Sequence, residues 1–510
     1  MENKKELKNT KKKKVVIIGA GVAGLASGIY AKKNGFDAEI YEAHSKPGGL
    51  CTSWKRGGYI FETMHWLVGT KKGNFWNKIF TEVGAFQNLE MKTYDEYIRY
   101  CFPDKDDIIF YTDIDKLHDH FMKIAPEDKK EINKFCKTVK KLVNFNYIPE
   151  KPRQQMNFLD NVKSAFKILP FLKILSSCMK ISLNEYSKRF KNQQLRRAFK
   201  NIFLNDETSV FGFFYILAMF HKGTNGYPIG GSLEVIRNME KTYLNLGGNI
   251  NYNSPVKKIL HNAGNVSSIV LENGKEIFGD FFISSGDLFV ALESMLGIKS
   301  ENSPYKDLFL EKNMCKPCFQ VSLGVNHNFI NKTNSVYRYL PLKETIKIAG
   351  HEFDILETHQ NFGLPFAPKN RSNLVISYNH YSEFESWFEF AEDREKYSTQ
   401  KKEILAITIK ALEEHYPGIS NNIETTDVAT PKTFQRYTQS WNGTFNSWHP
   451  TPKNARSMMK QRPYQLREFQ NLYFAGRYIF PPGGIPPSVK TGRDVLQLIC
   501  KKEKKIFKAD

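Results

Sequence analysis

The sequence predicts an α/β fold in which a parallel sheet wrapped by helices is interleaved with a mixed α+β part. Three observations carry this. A glycine-rich turn joins an apolar strand to a helix near the start of the chain, and a glycine pair follows the next strand. A strand, a proline- and glycine-rich loop and a helix then close the chain.

The first element is the apolar run Val15 to Ile18, followed by Gly19-Ala20-Gly21-Val22-Ala23-Gly24 in the spacing G-x-G-x-x-G. The first glycine permits the tight turn, the second lets backbone approach a pyrophosphate, and the third lets helix and strand pack closely. The helix that starts here offers free N–H groups and a positive dipole end. Glu42 and Ala43 end the next strand, where Ala38, Ile40 and Glu42 alternate. A carboxylate at this offset accepts hydrogen bonds from the two hydroxyls of an adenosine ribose and repels a 2′-phosphate, which argues against NADP. The unit is a Rossmann-like dinucleotide site.

Five residues separate Glu42 from Gly48-Gly49, and Leu50, Cys51 and Thr52 follow. A glycine pair here lets the backbone fold back over the pyrophosphate, which an NAD-type unit does not usually need. The chain continues into Gly57-Gly58-Tyr59-Ile60-Phe61-Glu62, a hairpin pattern, instead of another helical crossover. FAD is therefore the better assignment. At the far end, Asn471 to Gly476 is an apolar strand ending in glycine, and Arg477 to Pro487 leads into a helical pattern from Ser488. Gly476, Arg477, Gly484, Ile485 and Pro486 are expected to hold the isoalloxazine and ribityl end by the same dipole argument.

With these segments in view, the chain resembles the family of phytoene desaturases, carotenoid isomerases and retinol saturases. The resemblance rests on the N-terminal fingerprint with Gly48-Gly49 and on Phe61 to Gly69, similar to F-D-T-G-x-H-Y-x-G. It rests further on Tyr227 to Leu260, Ala429 to Trp448 and Ala475 to Gly492. The family pattern implies a two-dinucleotide-binding-domain flavoprotein with FAD, and it implies that the backbone of Val256 meets the adenine ring. Three departures stand out: Met64 in place of a glycine, Pro482 in place of the first glycine of the C-terminal triplet, and Arg477 where relatives carry a small or acidic residue.

The expected organisation is an FAD domain from 13–72, 222–296 and 465–510, a substrate domain from 73–221 and 297–464, and a basic tail at 1–12. No run of eighteen apolar residues occurs, so no helix is expected to span a bilayer. The N-terminal stretch has no apolar core of the signal-peptide type. Seven cysteines imply free thiols, and the one C-x-x-C, Cys315 to Cys318, lacks a second pair for zinc and runs into a strand. No metal site is expected.

Lys plus Arg number 74 against 53 acids, a formal net charge of +21, with much of the excess in the two tails. Two readings are open: solvated tails in a lysine-rich chain, or attraction to an anionic membrane surface. No nucleic-acid-binding motif accompanies the lysines, so nucleic acid is not an expected partner. Asn161 to Asn184 holds no acid, and Lys163, Lys167, Lys173 and Lys180 punctuate an apolar run broken by Pro170, as an interfacial segment requires. A cytoplasmic, peripherally membrane-associated protein follows as the expectation.

The family implies a flavin reaction on a long apolar polyene or isoprenoid lipid, with desaturation, saturation and isomerisation all open. His65 is the candidate proton-handling residue, with Tyr378 and His380 as weaker ones. No second dinucleotide fingerprint is present, so a quinone, oxygen or another diffusible carrier is the expected electron partner. The alternatives are a flavin amine oxidase or porphyrinogen oxidase-like enzyme, and a lipid-binding protein with structural FAD.

Overall fold

The structure is a computed structural model describing residues 12–510 except 104, 147, 263, 311–316, 327–333, 364, 380–390, 448, 456–461 and 481–482. Cys315, His380 and Pro482 lie outside the described residues. Its first layer is a five-stranded sheet in the order Asn249–Asn251, Asp37–Tyr41, Lys14–Ile18, Phe281–Ser284, Leu472–Phe474, parallel throughout. Val15 to Ile18, Phe281 to Ser284 and Leu472 to Phe474 are buried along their whole length. Unbroken apolar runs of this kind are what a parallel sheet covered on both faces demands.

Small residues set how closely the helices approach. The first helix, Val22–Lys33, packs against the last, Ile485–Lys502, at Gly492, where a Cβ would sit 2.8 Å from the Ala23 carbonyl oxygen. It meets the helix Ser232–Asn245 at Gly28, where a Cβ would sit 2.7 Å from the Tyr243 ring. The strand Ser53–Arg56 turns back into Tyr59–Glu62 through Gly57 and Gly58, both at positive φ. This is the hairpin that the glycine pair predicts.

The second layer is a seven-stranded mixed sheet. Its order is Ile423–Ala429, Cys318–Val325, Ser372–Asn379, His351–Phe362, Ser335–Ile348, Glu96–Tyr100, Ile108–Tyr111. One face packs on the helix Arg394–Leu412 through Leu356, Ile376, Tyr378, Ile404 and Leu412. The other packs on helices drawn from 114–221, where Phe110, Phe121, Phe135, Phe199 and Phe213 form an edge-to-face cluster. Much of the aromatic content is thus core. The run Val210 to Phe220 forms the helix Val210–His221 inside that core.

Pro170 breaks the basic apolar segment as the sequence predicts. The helix Phe158–Ile168 ends in a tight turn at Leu169–Phe171 and resumes as Leu172–Cys178. No helix among the described residues is long and apolar enough to cross a membrane.

Candidate active site

A cavity of about 410 Å³ opens at the carboxyl ends of the parallel strands. This is where ligands bind in open α/β sheets, because each strand delivers its following turn to the same edge. Ile18 leads to Gly19, Tyr41 to Glu42, Ser284 to Ser285, and Phe474 to Gly476. Gly19, Gly21, Val22, Ala23, Glu42, Ala43, Gly48, Gly49, Leu50, Cys51, Val256, Gly476, Arg477, Gly484, Ile485 and Pro486 all line it, and so does His65.

Three of the expected site residues do not line the cavity. The Ala20 amide donates to Glu42 Oε2 at 2.6 Å and so fixes the acid. Gly24 faces inward, where a Cβ would lie 1.9 Å from the Gly19 carbonyl oxygen. Thr52 sits behind the loop, its carbonyl accepting from Ser232 Oγ at 3.1 Å.

The backbone here fits a pyrophosphate. Gly21 bridges Gly48 in parallel, and the Gly48 amide donates to the Ala20 carbonyl at 3.0 Å. The helices beginning at Val22 and Ile485 both start after a glycine and have no side-chain cap. Both helix starts lie at the cavity; the first brings a positive dipole end and free amides suited to a pyrophosphate, whereas the second offers the amide of Ile485 alone, because Pro486 and Pro487 have no N–H. Glu42, buried at their side, accepts from the His44 amide at 2.8 Å through its other oxygen.

Arg477 shows its backbone to the cavity but spends its guanidinium elsewhere. It donates to Asp287 Oδ2 and Ser440 Oγ at 2.9 Å and to the Thr444 carbonyl at 2.7 Å. Asp287 also accepts from the Tyr478 hydroxyl at 2.9 Å and from the amides of Phe289 and Trp441 at 3.0 and 3.2 Å. This buried network was missed from the sequence. The signal was Ser284-Ser285-Gly286-Asp287, a strand end followed by a glycine turn and an acid.

Met64, His65, Trp66, Leu67, Val68 and Tyr337 also line the cavity. The His65 ring stacks on His359 with centroids 4.0 Å apart and meets Tyr337 edge-on at 5.8 Å. His359 Nδ1 donates to the Val336 carbonyl at 2.5 Å, which fixes its tautomer. Burial, then the neighbouring His359, holds the His65 pKa well below its ordinary value; burial takes His359 down to about 3. Both rings are therefore neutral at ordinary pH.

Of the other two expected proton-handling residues, Tyr378 lies elsewhere. Tyr378 is a correction: it is buried in the core between Phe319 and Phe353, and its hydroxyl pairs with Thr408 Oγ1 at 2.7 Å. His380 cannot be placed, lying outside the described residues. Cys51 is buried, its thiol pushed up by that burial and held protonated.

Glu62 stands behind the site as a clamp. Its Oε1 accepts from the Ser232 amide at 2.9 Å and so holds the start of the helix Ser232–Asn245. Burial raises its pKa to about 8, against about 4.3 for an unfolded chain. Between those values the folded chain holds a proton that the unfolded chain has released, so stability falls as pH rises from about 4.3 to about 8. Glu62→Gln mimics the protonated form. Its melting temperature relative to the native protein is therefore expected to climb between pH 5.5 and pH 8.5, as thermal melts at the two pH values would show. A constant difference would mean that Glu62 is ionised throughout.

Comparison with known proteins agrees with this geometry. Residues 22–500 match the family described as flavin containing amine oxidoreductase. The chain is 22% identical over 500 residues to the chloroplastic prolycopene isomerase of Daucus carota, covering 92% of this chain and 77% of that protein. It is 23% identical over 509 residues to the all-trans-retinol 13,14-reductase of Danio rerio, covering 91% of this chain and 82% of that one. An oxidoreductase structure from Methanosarcina mazei superposes with a TM-score of 0.59 at 18% identity, covering 95% of this chain and 100% of that one. With the pyrophosphate cradle, the ribose acid and the matched span all on one chain, this protein belongs to the flavin containing amine oxidoreductase family and is an FAD-dependent oxidoreductase.

Proposed function

We propose that the enzyme acts on carbon–carbon bonds of a long, unsaturated isoprenoid lipid. The observation that carries this is the part of the cavity lining formed by Met64, Trp66, Leu67, Val68 and Tyr337, which is apolar and aromatic and holds no carboxylate. The carboxylates that do line the cavity, Glu42 and Asp287, are bound to backbone amides and to Arg477. A cationic amine would enter uncompensated, at a steep desolvation cost. The names of the relatives, an isomerase of prolycopene and a reductase of retinol, support the same substrate class.

FAD, when bound, supplies hydride transfer to or from a carbon of the substrate. The turns at Gly19–Gly24 and Gly48–Gly49 and the helix start at Gly484–Pro486 would hold its phosphates and ring end, Glu42 would hold the ribose, and the backbone of Val256, which also lines the cavity, would meet the adenine. The aromatic wall keeps the polyene dry and in one plane. His65, neutral because it is buried, takes a proton on a ring nitrogen as a carbon–hydrogen bond is lost, or returns it in the reverse sense. Where the reaction has a net redox change, a quinone, oxygen or another diffusible carrier would exchange electrons with the flavin.

Anaerobic flavin spectra decide the direction. Bleaching of the oxidised protein by a phytoene-like lipid means desaturation, and reoxidation of dithionite-reduced protein by a retinol-like lipid means saturation. A change of double-bond geometry with no net flavin change means isomerisation. No spectral change or turnover with any of these lipids would end the polyene proposal.

We place the protein at a membrane surface through the segment 158–180. Phe158, Phe166 and Leu159 are 79%, 69% and 63% exposed, and Leu169 and Leu172 are exposed beside them. Lys163, Lys167, Lys173 and Lys180 are exposed on the same segment, so apolar groups can dip into lipid while cations meet phosphate. Phe166→Asp with Leu169→Asp is expected to weaken partitioning onto anionic vesicles by about 10-fold or more. Co-sedimentation measures this, and unchanged binding would move the contact elsewhere.

A further inference from the structure

Among the aromatic residues lining the flavin cavity, Tyr437 alone is exposed, at 47%. Its ring is nevertheless held in place. It sits in the last turn of the helix Pro431–Thr438, which starts at a capping box on Thr430 and stops at Gln439 in the left-handed conformation. The Arg436 guanidinium lies 4.9 Å from the ring centroid and donates to the Tyr437 hydroxyl at 3.0 Å. A large ring that lines a cavity, is fixed by its neighbours and stays open to water has apolar area left for a ligand to cover.

The neighbours of Tyr437 say which part of the ligand this is. Its ring meets the His44 ring with centroids 5.6 Å apart, and the His44 amide donates to Glu42 Oε1 at 2.8 Å. The Glu42 carbonyl in turn accepts from the Ser254 amide at 2.8 Å, two residues before Val256. Tyr437, Glu42 and Val256 all line the cavity, so three distant stretches of chain are tied together around the acid assigned to the ribose. The base of an adenosine is bonded directly to that sugar and cannot lie far from the carboxylate. We propose that Tyr437 is the aromatic platform for the adenine of FAD, its ring face covered by the base. Every base has a π-face, so stacking needs no match of hydrogen-bonding edges, and the half-exposed ring loses its contact with water as the base covers it. The assignment rests on Glu42 as the ribose acid.

The test titrates the full-length protein, freed of flavin, with FAD and with ADP, which carries the adenosine and both phosphates but no isoalloxazine. Tyr437→Ala is expected to weaken the two ligands by the same factor, about 10-fold, the level at which a base stacked on an aromatic side chain contributes. Tyr437→Phe keeps the ring face and loses only the hydroxyl, so both affinities are expected to stay within about twofold of native. The position is half exposed, and both variants keep the helix and its cap. Native ADP affinity in Tyr437→Ala overturns the proposal; if FAD alone is weakened, the ring meets the isoalloxazine end instead. Equal losses in the alanine and phenylalanine variants overturn it as well, since the hydroxyl and not the ring face would then carry the contact. Glu42→Ala separates these results from a misplaced nucleotide: if that variant also binds ADP like the native protein, Glu42 is not the ribose acid and the adenosine lies elsewhere.

Discussion

Glu42→Ala is expected to fold and to purify without yellow colour. The carboxylate ends the strand Asp37–Tyr41, buried at the edge of the cavity, and each oxygen already accepts a backbone amide, Ala20 at 2.6 Å and His44 at 2.8 Å. Those bonds fix the carboxylate beside the cavity and leave its remaining lone pairs for the ribose hydroxyls of the proposed site. Two charge-assisted hydrogen bonds to ribose hydroxyls contribute about 1.5–3 kcal/mol each, so their loss weakens FAD by at least about 100-fold. Glutamine is not a conservative rescue, because its amide would set donor against donor at Ala20 or His44. The ratio of flavin absorbance to protein absorbance after gel filtration measures the outcome. Stoichiometric flavin in the alanine variant would remove Glu42 from the cofactor site.

The nucleotide end of this site was legible in the sequence, and the reason is local. A pyrophosphate cradle is made of backbone, so its requirements appear as glycines at fixed offsets within one strand–turn–helix unit, and Gly19, Gly21 and Gly24 meet them. The break at Pro170 was legible for the same reason, since proline acts on its own turn. The aromatic end was not. His359 stacks on His65 although nearly three hundred residues separate them; His359 is on the seven-stranded sheet and His65 in the turn between Tyr59–Glu62 and Leu67–Val68, so the pair forms only when separate sheets pack. Tyr378 illustrates the opposite error. Alternation along Ser372–Asn379 identifies two faces but not which one is covered by a helix. Its side chain points to Thr408 of Arg394–Leu412 and away from the flavin cavity.

Asp287→Ala is expected to be the most destabilising single change at the site, by about 3–5 kcal/mol in urea unfolding, because it strands a buried guanidinium. Arg477 and Asp287 are 12% and 2% exposed, so water does not make up the loss. Arg477→Leu should cost less. It removes the charge along with its partners, whereas Asp287→Ala also frees the amides of Phe289, Val290 and Trp441. The double variant separates the two effects. If the ion pair is the main term, Asp287→Ala with Arg477→Leu will be more stable than Asp287→Ala alone, since no unpaired charge remains. If amide capping is the main term, the second substitution will add its own cost on top. Asp287 follows the strand Phe281–Ser284, Trp441 opens the loop after the helix Pro431–Thr438, and Arg477 follows the last strand. One carboxylate thus joins three distant stretches of chain around the cavity. The same change that destabilises the fold should therefore also loosen the flavin, and a native melting curve with native flavin content would show that the three segments hold together without it.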